Sequence, residues 1–151
     1  MHVGFSGTQN GMTDRQSEQV EEILKSIQLN QLDEGGDSDL VLHHGDCIGA
    51  DEDVHLMLRQ PWSSYLITIH PPLDAKKRAH MKGDKTFPTH GYLERNRMIV
   101  LSSNVLLAAP ASEEVLRSGT WATIRYARER KTPITIVMPD GSVMHEPEED
   151  T

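Results

Sequence analysis

The sequence predicts an α/β domain, with one mostly parallel sheet of about five or more strands covered by helices on both faces. Segments of strand and helix character alternate along the chain, and the strand segments are nearly unbroken apolar runs, the mark of a sheet buried on both faces. The unusual stretches also follow those strands or, as "RSGT", open the last helix, on the rim where open parallel sheets bind ligands. These observations read together as a single Rossmann-like three-layer domain over residues 1–138, followed by an acidic C-terminal tail, 139–151.

The elements follow in order. "HVGFS" is a short apolar stretch that reads as the first strand and is broken by "GTQNG". "TDRQ" carries a capping box, Thr13 as N-cap and Gln16 three residues on. Val20, Ile23, Leu24 and Ile27 recur at helical spacing and predict a helix over 14–29. "NQLDEGGDSD" reads as a polar turn, "LVLHH" as the second strand and "GDCIGAD" as its exit. Ala50, Val54, Met57 and Leu58 mark one face of a second helix that Pro61 ends.

"SYLITIHP" is rich in β-branched residues and reads as the third strand. The stretch "PLDAKKRAHMKGDKTFPTHG" has no clear periodicity and reads as a long loop, functional or mobile. A third helix is predicted over 92–102, "NVLLAAP" as the fourth strand and "ASEEVLRSG" as a polar connection. "TWATIRYARERK" reads as the fourth helix and "PITIVM" as the fifth strand, and the tail is expected to fray.

Charge narrows the class of partner. The net charge is −8 and only 5% of residues are aromatic, which opposes nucleic-acid binding by bulk attraction or base stacking. Within this acidic chain Lys76, Lys77, Arg78, Lys82 and Lys85 crowd one segment, and Arg95 and Arg97 follow. A local basic patch of this kind suits a small anionic ligand. No apolar run approaches the ~20 residues that span a bilayer, so no membrane partner is expected. The start of the chain lacks the features of a signal peptide, and its single cysteine, Cys47, cannot form an internal disulfide. A cytoplasmic location is the resulting expectation. No Cys or His cluster has the spacing of a structural zinc site; no metal is required, and a Mg²⁺ would enter only through a ligand's phosphate.

The candidate site residues fall in the loops at the carboxyl ends of the predicted strands or on the helices those loops lead into. Helix N-termini there present unpaired N–H groups and a partial positive charge, suited to phosphate. Gly7, Thr8, Gly11, Gly119 and Thr120 would let backbone come close, with the threonine hydroxyls as donors. Gly45 and Gly49 either make room for a ligand or serve only the strand-to-helix geometry. Asp46 and Asp51 either cap the helix or face the hydroxyls of a ribose. Arg95 either binds ligand phosphate or pairs with Glu94 or another surface acid. Trp121 either packs in the core or stacks on a base.

"GFSGTQNGMT", "HHGDCIGAD", "ERNRMIV" and "SGTWATIRYA", in this order and spacing, resemble the SLOG superfamily. That group includes the Lonely Guy phosphoribohydrolases, the Rossmann domain of DNA-processing protein A and stand-alone nucleotide-sensing domains. The resemblance runs from about Met1 to Met138 and implies a Rossmann-like fold with a pocket for a nucleotide or ADP-ribose-type ligand. It places Gly7 and Thr8 beside the ligand and matches the family's basic pair to Arg95 and Asn96. The phosphate-cradling turn is matched in part by Ser118, Gly119 and Thr120. By analogy with this fold, a homo-oligomer is expected as well.

One departure bears on activity. The phosphoribohydrolase signature ends in a catalytic glutamate, and Thr123 stands at that position here. A threonine does not serve as a general acid or base near neutral pH as a carboxylate does. The phosphate-holding part of the motif is present without its carboxylate, which favours binding over hydrolysis. The expected function is therefore binding of a nucleotide-derived signal by a sensor, carrier or sequestering protein, as a viral sponge for an immune signal would be. The alternative is a nucleotide N-glycosidase, for which Asp46, Asp51 and Glu94 are the candidate carboxylates, joined by Glu113 and Glu114 if the inserted loop folds inward.

Overall fold

The computed structural model describes residues 1–33 and 39–148. Part of the predicted polar turn "NQLDEGGDSD" and the last three residues lie outside the described residues.

Strand β1 (His2–Gly7) is followed by α1 (Asp14–Asp33), β2 (Val41–His44), α2 (Ala50–Leu58) and β3 (Leu66–Ile69). A 3₁₀ turn (Ala75–Lys77) and the short β4 (Lys85–Thr86) come next, then α3 (Tyr92–Leu101), β5 (Val105–Ala109), α4 (Gly119–Glu129), β6 (Ile134–Val137) and β7 (Val143–Glu146). The strands form one seven-stranded sheet in the order β4-β3-β2-β1-β5-β6-β7. Its first six strands run parallel, and β7 pairs antiparallel with β6. The expected α/β, Rossmann-like, mostly parallel sheet is the observed fold.

Side chains alternate across the sheet and so feed two cores. Leu107 and Ala109 of β5 join Val3, Phe5, Leu42, Ile67 and Ile69 beneath Val20 and Leu24 of α1 and Val54 and Leu58 of α2. Leu106 and Ala108 of the same strand join Ile134 and Ile136 beneath Val100 of α3 and Trp121, Ile124 and Ala127 of α4. The capping box closes as read: Gln16 N–H donates to Thr13 Oγ1 at 3.1 Å, and Thr13 N–H donates to Gln16 Oε1 at 3.2 Å. Among the described residues no helix is long and apolar enough to cross a membrane.

Two expectations are corrected. The stretch read as a loop without structure contains the 3₁₀ turn and β4, which adds to the sheet beside β3. The segment expected to fray carries β7, because the turn over 138–142 folds the chain back along β6.

Candidate functional site

Leaving β1, the chain builds one side of the sheet through β2, β3 and β4, then returns through α3 to β5 on the other side. The loops after β1 and β5 therefore diverge, and a crevice opens between them at the carboxyl ends of the strands. It encloses about 520 Å³. Gly7, Thr8, Gly45, Asp51, Arg95, Asn96, Ser118, Gly119 and Thr120 line it, as do Gln9, Asn10, Cys47, Lys77, Tyr92 and Arg117.

The turn after β2 is one wall. Asp51 is 6% exposed, and its Oδ2 accepts the backbone N–H of Gly45 and of Cys47, each at 3.1 Å. Asp51 thus ties the turn together; the N-cap of α2 is Gly49, whose φ of 105° suits glycine. The other carboxylate oxygen, Oδ1, is buried without a hydrogen-bond partner among the described residues. Burial pushes the Asp51 carboxyl up to about 6, against the opposing pull of Arg95 and the two backbone N–H groups. Burial likewise raises the Cys47 thiol, against the opposing pull of Arg95.

Arg95 braces this wall from α3. It is 5% exposed, and its Nη1 donates to the Gly45 carbonyl at 2.7 Å while Nε donates to Asn96 Oδ1 at 2.8 Å. A Cβ at Gly45 would fall on the Arg95 guanidinium, so this close approach requires glycine. Glu94 does not pair with Arg95. Its side chain is 71% exposed and meets His90 Nδ1 at 3.3 Å, away from the crevice.

The facing wall is the loop into α4. Ser118 Oγ accepts the N–H of Trp121 at 3.2 Å and caps the helix. The N–H groups of Gly119 and Thr120 begin α4 and have no intrahelical partner. A Cβ on Gly119 would meet nothing within 4 Å, so the space above this turn is open. Arg117 stands beside it. Neither Arg117 nor Lys77 forms an ion pair among the described residues.

Several predicted residues lie elsewhere. Asp46 is fully buried behind the turn, and its two oxygens take Arg78 Nε at 2.7 Å and the Met81 N–H at 3.0 Å. It fastens the basic segment to the turn and faces no crevice. Gly11 and Gly49 shape backbone outside the crevice, both at positive φ. Trp121 is packed in the second core at 3% exposure, donating Nε1–H to the Ser112 carbonyl at 3.0 Å. Glu114 is held by Arg125 and Arg128, each at 3.1 Å, and Thr123 is buried with its hydroxyl on the Gly119 carbonyl. Among the described residues, Asp51 is therefore the one carboxylate lining the crevice.

Sequence reasoning passed over Tyr92, Arg117, Gln9 and Asn10. Arg117 was within reach, since it directly precedes the Ser118–Gly119–Thr120 turn. Lys77 is one of several lysines in the basic segment, and nothing in the sequence separates it from Lys76.

Two solved structures share this architecture. The molybdenum cofactor binding protein of the phototrophic bacterium Rippkaea orientalis matches with a TM-score of 0.63 and 18% identity, over 91% of this chain and 76% of that one. DNA processing protein A of Helicobacter pylori, described for its single-stranded DNA binding mode, matches with a TM-score of 0.58 and 15% identity. The alignment covers 90% of this chain and 64% of that one. Both share the Rossmann-like architecture of this chain. No protein-family model matches the sequence, and no curated protein does.

Proposed function

We propose that the crevice binds a nucleotide or nucleotide-derived signal, and that the protein works as a sensor, carrier or sequestering module. The observation that carries this reading is the juxtaposition of Arg117 with the open first turn of α4, facing Arg95 and Lys77 across about 520 Å³. Backbone N–H groups at a helix start and guanidinium groups are the usual partners of phosphate. The two proteins of the same fold bind, by their descriptions, a cofactor and single-stranded DNA, so ligand binding is common to both. The net charge of −8 weighs against a long polyanion here.

Native mass spectrometry of the protein with a panel of nucleotides tests this. A nucleotide retained intact by the wild type and lost from Arg117→Ala is the expected result; no retention of any nucleotide would sink the reading. Arg95→Ala is the poorer probe, because Arg95 also braces the turn after β2.

A second reading, an N-glycosidase acting on a nucleotide, is favoured by Asp51 alone. It is a buried carboxyl in the crevice, held near pKa 6, where a general acid or base works well. Free base appearing in the same incubations, and not in those of Asp51→Asn, would select that reading over simple binding.

A further inference from the structure

Residues 74–80 leave the body of the protein between two anchors. At one end the Leu73 N–H donates to the His90 carbonyl at 2.9 Å, and at the other Met81 packs against the first core. No residue from 74 to 80 is itself buried. Among the described residues, the hydrogen bonds from this segment to the rest of the protein all land on the turn after β2. The Ala79 N–H donates to the Asp46 carbonyl at 2.7 Å, Arg78 Nε donates to Asp46 Oδ2 at 2.7 Å, and the Lys77 carbonyl accepts the Ile48 N–H at 3.1 Å. Just beyond, the Met81 N–H donates to Asp46 Oδ1 at 3.0 Å. One residue, Asp46, therefore takes most of the contact. A segment held by hydrogen bonds, with no buried side chain of its own, belongs to the low end of local stability.

The backbone points the same way. Asp46 and His80, one on each side of this contact, have φ of 52° and 58°. Side chains other than glycine take up that left-handed region at a cost, and they stay there only where their surroundings impose it. His80 is exposed and is free to relax once the segment lets go. The segment matters to the crevice through Lys77, whose Nζ stands 5.3 Å from the centre of the Tyr92 ring. Both residues line the crevice.

We infer that residues 74–80 form a clasp on the crevice, latched by Asp46, that opens as a unit while the sheet stays folded. Opening takes Lys77 off the Tyr92 ring and removes its part of the crevice wall. The latch turns on charge. Asp46 is fully buried, and Arg78 is the cation paired with it. Arg78→Gln would leave that carboxylate buried without a counter-charge, and opening the clasp lets water reach it. The substitution therefore favours the open form. The clasp is a property of the protein without ligand and does not depend on the nucleotide reading.

Amide hydrogen exchange followed by NMR on the ligand-free protein tests this. The reporters are the N–H groups of Ile48, Ala79 and Met81, which lose their acceptors together when the clasp opens. In the wild type they should exchange as one set, roughly a hundredfold or more faster than the N–H groups bonded between β1 and β2. Arg78→Gln should speed the set about tenfold or more and leave the β1–β2 amides within about twofold. The Tyr92 ring resonances should shift in the same variant, as Lys77 spends less time against the ring. Asp46→Asn removes the charge with a residue that tolerates the left-handed backbone, and it should act in the same direction. Three reporters with unrelated rates, or with the rate of the β1–β2 amides, would overturn the clasp. So would an Arg78→Gln effect spread equally over both sets, since the segment would then open only with the whole fold. A faster set with an unmoved Tyr92 ring would overturn its link to the crevice. If Asp46→Asn does not fold, the wild type and Arg78→Gln decide the matter between them.

Discussion

Asp46 and Asp51 flank the same glycine turn and are interchangeable on paper, yet the fold gives them different work. Asp46 spends both oxygens on Arg78 and Met81, and Asp51, which lines the crevice, keeps one buried oxygen without a partner among the described residues. What separates them is where the segment after β3 docks, a long-range contact that no local pattern encodes. Arg95 shows the same limit: its place in the crevice was legible from its position at the start of a helix, but not its bracing of the Gly45 carbonyl. Gly119 allows a clean test at this scale. Gly119→Ala adds a methyl group that meets no protein atom and removes backbone freedom, so stability should hold or rise by up to about 1 kcal/mol. The same methyl would stand over the N–H groups offered to phosphate, and affinity should fall about tenfold or more. Melting curves and titration of one variant read both effects, and undiminished affinity would remove this turn from the site.

Among the elements, those with strong apolar periodicity were legible. The stripe of Val20, Ile23, Leu24 and Ile27 located α1, which runs on to Asp33 beyond the predicted end. β4 and β7 were not legible, for a physical reason. Each is an edge strand with exposed residues, short and mixed in character, and its identity comes from the neighbour it pairs with. α1 also does more than cover the sheet. Gln16 is 1% exposed, and its Nε2 donates to the carbonyls of Pro110 and Val137, each at 2.8 Å, joining the helix start to the ends of β5 and β6. Thr13→Ala should cost about 1 kcal/mol as a lost cap. Gln16→Ala should cost more, about 2–3 kcal/mol, because two buried carbonyls lose their donor. Urea titrations of the two variants give the comparison, and an equal loss would mean that Gln16 acts only as a capping residue.

For the molecule as a whole, buried histidines should set the response to acid. His43 bridges His2 and His70 at 2.8 and 2.9 Å, and His44 meets His55 at 2.9 Å. Burial, with neighbouring positive groups, lowers His43 to about 4 and His70 to about 3, and His44 well below its usual value. The unfolded chain then binds more protons than the folded one, so these histidines make stability fall as pH drops from 6.5 toward 4. Asp51 has the opposite sign: its raised folded pKa helps the protein in acid, and that help is lost as pH rises through about 6. The three histidines outweigh the one carboxyl, so melting temperature should fall between pH 6.5 and 4. A flat profile there would mean that these rings take up protons in the folded state.

The antiparallel last strand has one more consequence, for attachment. β7 sets out from the rim that holds the crevice and ends opposite the first residue of β6, where Glu146 pairs with Ile134. β1 also begins on that far rim. A tag, a surface linkage or a neighbouring domain joined at either place hangs behind the sheet, and the mouth of the crevice stays clear.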